Sequence, residues 1–105
     1  MSEQKDALGQ AVALQYDGAN APKVTAKGEG LTAQQIIAIA KEHDIPLHED
    51  PQLVQLLSQI DLGEEIPRNL YIAVAKVIAF AYMLTGKRPA GQETQSEVIL
   101  KNERR

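Results

Sequence analysis

His43 and His48 are the only two histidines of this sequence, and no cysteine accompanies them. Acid–base work near neutral pH, or metal binding through imidazole, would have to start from this pair. His48 is followed by Glu49 and Asp50, which supplies ligand atoms, but no His-x-x-x-His spacing sets two imidazoles on one helix face. Neighbouring strand residues also point to opposite sides. His43 falls where a helix is expected to end, and an imidazole there favours the carbonyl dipole. A hydroxyl nucleophile would come from Ser2, Ser58, Ser96 or a threonine, and none sits in a Gly-x-Ser-x-Gly elbow. Gly28-Glu29-Gly30 looks like a phosphate-binding turn, but it lacks both the third glycine of a dinucleotide fingerprint and the Gly-Lys-Ser/Thr of a P-loop. A strand exit that needs positive φ accounts for it. Glu64 and Glu65 precede a helix start, where carboxylates favour the dipole and stay solvated. Residue types and spacing therefore predict no enzyme, no metal and no cofactor.

The segment from Gln10 to Tyr16 places Val12 and Leu14 on one face and Ala11 and Ala13 on the other. Apolar residues on both faces predict a strand covered on both sides, with alanine where a helix approaches closely. Asp17-Gly18-Ala19-Asn20-Ala21-Pro22 is turn chemistry, and Lys23 to Lys27 predicts a second strand paired with the first. Ile36, Ile37, Ile39 and Ala40 predict a helix over residues 32–43, closed by Asp44. Pro46 forbids a helix over Ile45 to Glu49, so a short third strand is expected, with the preceding helix as a crossover between parallel strands. Asp50 is placed to cap a second helix that has Pro51 at its first position, and Leu53, Val54, Leu56, Leu57 and Ile60 form its buried side.

The last helix is expected over residues 67–85. Leu70, Ala73, Val74, Val77, Ile78 and Ala81 form one stripe, which Ile72, Ala79, Phe80 and Met83 widen. A helix apolar over most of its circumference is either central or carries a second face that binds something; core packing is the commoner case. The expected fold is α/β: a small mixed sheet in β-β-α-β-α-α order, wrapped by helices, in a single domain. Residues 10–86 form that domain, 1–9 a flexible N-terminal segment and 87–105 a polar flexible tail.

Composition narrows the function classes. The chain has 105 residues with 44% hydrophobic and 24% charged, the balance of one ordinary globular domain. Four aromatic residues, Tyr16, Tyr71, Tyr82 and Phe80, leave the core to aliphatic side chains. A net charge of −3 argues against nucleic acid and anionic lipid as main partners, since both need a basic surface. The most apolar stretch, residues 70–84, contains Lys76 and falls short of the roughly 20 residues a membrane span needs. The N-terminus is polar, with no signal-peptide stretch behind it. A cytoplasmic location is expected.

Four stretches, taken in order, resemble one family. They are Ala11-Val12-Ala13-Leu14-Gln15-Tyr16-Asp17; Ala21-Pro22-Lys23-Val24-Thr25-Ala26-Lys27-Gly28; Ile45-Pro46-Leu47-His48-Glu49-Asp50-Pro51; and the segment from Gly63-Glu64-Glu65-Ile66-Pro67-Arg68-Asn69-Leu70 to Val77. Together they are similar to the cytoplasmic C-terminal domain of the FlhB/YscU export-switch proteins of flagellar and injectisome type III secretion. The resemblance implies a small sheet wrapped by helices. It further implies a protein-binding module for export substrates and other export-gate proteins, touching the membrane only peripherally through the gate. The family's shallow apolar recognition pocket would fall on Ala21, Pro22, Ala75 and Ile78. A regulator or decoy outside export, binding another protein or a small ligand, is the alternative.

The resemblance has two departures. Full-length members carry a transmembrane region ahead of this domain, whereas this chain is expected to be a stand-alone counterpart of the cytoplasmic fragment. Members also carry an Asn-Pro-Thr-His motif before the first strand, where the Asn amide attacks its own carbonyl. The corresponding residues here are Asp6-Ala7-Leu8-Gly9, which offer neither the amide nucleophile nor the His. The purified chain should therefore keep its intact mass on prolonged incubation; mass-spectrometric scission between Asp6 and Ala7 would contradict this.

Overall fold

The computed structural model describes residues 9–16, 20–85 and 96–102. Strand β1 (Gln10–Tyr16) pairs antiparallel with β2 (Lys23–Glu29), as the sequence predicts. Helix α1 (Leu31–Glu42), strand β3 (Leu47–Glu49), helix α2 (Pro51–Leu57), a 3-10 turn (Arg68–Leu70), helix α3 (Tyr71–Thr85) and strand β4 (Ser96–Asn102) follow. The four strands lie in the order β2-β1-β4-β3. The sheet is mixed: β4 is antiparallel to β1 and parallel to β3. The expected α/β class and mixed sheet are present.

Strand β4 corrects the expected polar tail over residues 87–105. Its seven residues fill the space between β1 and β3, in register from Gln10 opposite Asn102 to Tyr16 opposite Ser96. Val98, Ile99 and Leu100 are all buried, whereas Glu97, Lys101 and Asn102 around them make the segment look polar in sequence. Residues 87–95 and 103–105 of that expected tail lie outside the described residues, as do residues 1–8 of the expected N-terminal segment. The crossover also differs in extent. β2 and β3 do run in the same direction, but as the two outer strands, so α1 spans the sheet over β1 and β4.

The alternation along β1 and β4 divides the core in two. Val12, Leu14, Tyr16, Val98 and Leu100 face α2 and α3, where Leu53, Val54, Leu57, Leu70, Val74, Val77 and Ala81 meet them. Ala11, Ala13 and Ile99 face α1 and pack on Ala33, Ile37 and Ala40. Small side chains on both partners let α1 sit close, which the alanines of β1 foretell. Gly28 serves the same approach: a Cβ there would collide with the Thr32 side chain at the start of α1.

Local signals set the helix ends. Gly30, with φ 59°, turns the chain into α1, and its N–H donates to the Gly9 carbonyl at 3.1 Å. At the other end Asp44 takes φ 57°; its N–H donates to the Lys41 carbonyl and that of Ile45 to the Ala40 carbonyl, a Schellman arrangement that pairs the last carbonyls. His43 is the residue at that C-terminus. Asp50 caps α2 as expected, accepting from the Leu53 N–H at 3.1 Å, with Pro51 at the first position. Leu56, expected on the buried side of α2, is instead 49% exposed.

Replacing Leu100, fully buried and opposite Val12, with alanine should lower the unfolding free energy by about 2–5 kcal/mol, the cost of a cavity in a packed core. Leu56→Ala should change it by less than about 1 kcal/mol. Urea denaturation separates the two; a neutral Leu100→Ala would contradict the place given to β4.

Candidate functional site

Helix α3 and the loop that delivers it carry most of the residues singled out by sequence. The loop is anchored along the start of β2. The Val24 N–H donates to the Glu64 carbonyl at 3.1 Å, the Gly63 N–H to the Val24 carbonyl at 2.7 Å, and the Ile66 N–H to the Pro22 carbonyl at 3.0 Å. Lys23 and Glu65 pair as an isolated antiparallel bridge. Gly63 has φ 86°, so the turn into this pairing favours glycine on conformational grounds alone, with open space around its α-carbon. Glu64 and Glu65 are exposed, as expected, but their backbones extend the sheet edge.

Lys27 is the positioning residue that sequence reasoning missed. Its ammonium donates to the Ser58 carbonyl at 3.0 Å and to the Ile60 carbonyl at 2.7 Å. These carbonyls lie at and just beyond the C-terminal end of α2, where a cation complements both orphan acceptors and the dipole. In sequence Lys27 is an unremarkable strand residue. Its role depends on β2 crossing behind the end of a helix thirty residues later, which no local pattern encodes.

Two of the four residues expected to form the pocket, Ala21 and Pro22, are half-buried just ahead of β2. The other two lie on α3: Ala75 is exposed, and Ile78 is half-buried against the core. The link between the pairs runs through Ile66, bonded to Pro22 and buried in the same cluster as Val74 and Val77.

Helix α3 has two apolar faces. Val74, Val77 and Ala81 are buried, with Leu70 ahead of them. Ala73, expected in that stripe, is exposed. The residues expected to widen the core face solvent instead: Ile72 is 74% exposed and Met83 83%, with Ala79 exposed between them. Helical spacing sets Ile72, Lys76, Ala79 and Met83 along one line opposite the core. Phe80 lies between these faces and meets the His48 ring edge-on at a centroid distance of 5.0 Å. That contact ties α3 to the β3 edge and gives His48 a packing role. Among the described residues, no three His, Asp or Glu side chains gather as a metal site, and no helix is long and apolar enough to cross a membrane.

The sequence profile of the FlhB HrpN YscU SpaS family matches residues 8–81. The chain belongs to that family. The flagellar biosynthetic protein FlhB of Salmonella typhimurium is 47% identical over 83 residues, covering 76% of this chain and 22% of that protein. FlhB of Yersinia enterocolitica is 48% identical over 77 residues, covering 70% of this chain and 20% of its own. This chain thus spans about a fifth of the length of these FlhB relatives. The uncharacterized protein YlqH of Bacillus subtilis is 40% identical over 79 residues, with 73% of this chain and 85% of YlqH covered. The FlhB-family match contains all four residues of the expected pocket and the whole loop paired with β2.

Lys27→Met should cost about 1–2 kcal/mol, because two carbonyls lose a charged donor. Thermal unfolding should show a Tm drop of roughly 5–15 °C for a domain of this size. An unchanged Tm would mean that the ammonium adds nothing to the end of α2.

Proposed function

We propose that this chain is a cytoplasmic protein-binding module of flagellar or type III export that works without catalysis and without self-cleavage. Its partners are export substrates or other proteins of the export gate. Family membership supports the export setting. The observation that carries the binding role is the outer face of α3, where Ile72, Ala79 and Met83 present apolar surface away from the core. Ala75 is exposed and Ile78, one turn further on, is half-buried, so the expected pocket would lie at the border between the two faces of the helix.

The chemistry is that of a shallow apolar ledge. An incoming segment would bury aliphatic side chains on Ile72 and Met83, at about 25 cal/mol per Å² of apolar surface removed from water. Ala75 and Ala79 leave room for close approach, and Lys76 in the same line favours a segment with a carboxylate nearby. Ala21 and Pro22 would border the ledge from the loop ahead of β2. A reaction is not required at any point.

Calorimetric titration with a hook or rod export substrate tests the proposal. Ala75→Glu and Ile72→Glu should each weaken binding at least about tenfold, or about 1.4 kcal/mol, while leaving Tm within a few degrees, since both positions are exposed. Undiminished affinity in both variants would overturn the docking face. Failure of the unaltered chain to bind any export protein would overturn the reading as a whole.

A further inference from the structure

Lys76 is exposed on the outer line of α3, between Ile72 and Met83. The positions three and four residues to either side of it are Ile72, Ala73, Ala79 and Phe80, so no carboxylate of its own helix neighbours its ammonium. The bias extends along the chain. Residues 66–92 contain Arg68, Lys76, Lys87 and Arg88 and no acidic residue, while the other seven basic residues share the rest of the sequence with all fourteen acidic ones. Arg68 is exposed in the 3-10 turn that leads into α3, four residues before Ile72. A protein acidic overall thus presents an apolar helix face interleaved with cations.

We propose that the outer face of α3 docks an acidic amphipathic helix of a partner protein, an inference that rests on the docking role proposed above. The main-chain groups of α3 bond along the helix, so an extended peptide would find no backbone pairing there and would leave its own N–H and C=O groups unmet. A helix satisfies its backbone internally and needs only a strip of side chains. Ile72 and Met83 are separated by about 16 Å at 1.5 Å per residue, roughly three turns of such a partner. Aliphatic residues on the partner would cover Ile72 and Met83, with Ala79 between them allowing close approach. Its carboxylates would meet Lys76 and Arg68. Charge favours this occupant over an anionic bilayer. Helix α3 itself holds one basic residue, Lys76, rather than the dense Lys/Arg face of a membrane-surface helix, and the chain's net charge of −3 opposes approach to such a surface.

Fluorescence anisotropy of the full chain with two labelled peptides tests the inference. One is a helical peptide with leucines at heptad spacing flanked by glutamates; its twin carries glutamine at every glutamate. The glutamate peptide should bind at least about fivefold more tightly than its twin at about 50 mM salt, and the margin should shrink at about 500 mM. Lys76→Glu should abolish or invert that preference, and Ile72→Glu should weaken both peptides. Equal binding of the two peptides, a preference that survives Lys76→Glu and Arg68→Glu together, or no binding of either would overturn the inference. A hook or rod export substrate whose binding is lost in Ile72→Glu but unchanged in Lys76→Glu would overturn it too, while leaving the docking face in place. Binding of the glutamate peptide where every export substrate fails would uphold the acidic helix and overturn the export reading alone. Sedimentation with phosphatidylglycerol vesicles, or a dimer on gel filtration, abolished by Lys76→Glu would assign the face to lipid or to a second copy and so overturn the inference.

Discussion

The pairing of β4 with β1 on one side and β3 on the other is the contact on which the other elements depend. It runs the full length of β1, from Gln10 to Tyr16, and brings three aliphatic residues into the sheet's centre. Because strand side chains alternate, those three serve both halves of the core: Val98 and Leu100 under α2 and α3, Ile99 under α1. Loss of the strand would uncover both helical layers at once. The parallel edge with β3 also fixes the Leu47–Glu49 segment, and so the His48 ring against which Phe80 of α3 rests.

From that frame the geometry of α3 follows. Its entry is set by the loop bonded to the start of β2, with Ile66 anchored to Pro22 and buried in the core. Lys27 holds the preceding end of α2 from behind. Once Val74, Val77 and Ala81 are committed to the core, helical periodicity leaves Ile72, Ala79 and Met83 facing solvent. The exposed face is thus a consequence of a helix apolar nearly all round, packed on one side only. Of the four residues expected to form a pocket, Ala75 and Ile78 lie on this helix, and Pro22 is bonded to Ile66 in the loop that leads to it.

Much of this was legible in the residues. The two apolar faces of β1, the alanines that admit α1, the Asp50-Pro51 start of α2 and the hairpin of β1 with β2 all follow from side-chain size and local backbone rules. β4 was not legible because its strand signal is three aliphatic residues between charged and polar neighbours, and its pairing is non-local. Lys27 was hidden for a related reason, since its acceptors lie more than thirty residues away along the chain. The circumference of α3 announced a choice between burial and binding, and only the sheet's position decided it. Residue types alone offer no route to a binding pocket; the expectation of one at Ala21, Pro22, Ala75 and Ile78 rests on the likeness to an export family.

The place of β4 is tested most directly by hydrogen exchange of the intact chain, followed amide by amide. Amides of Val98, Ile99 and Leu100 that bond across the sheet should fall in the slowest class together with those of Val12 to Leu14, because freeing either strand opens both cores. Rapid exchange throughout residues 96–102, with β1 still protected, would show that the last strand is not what holds the sheet together.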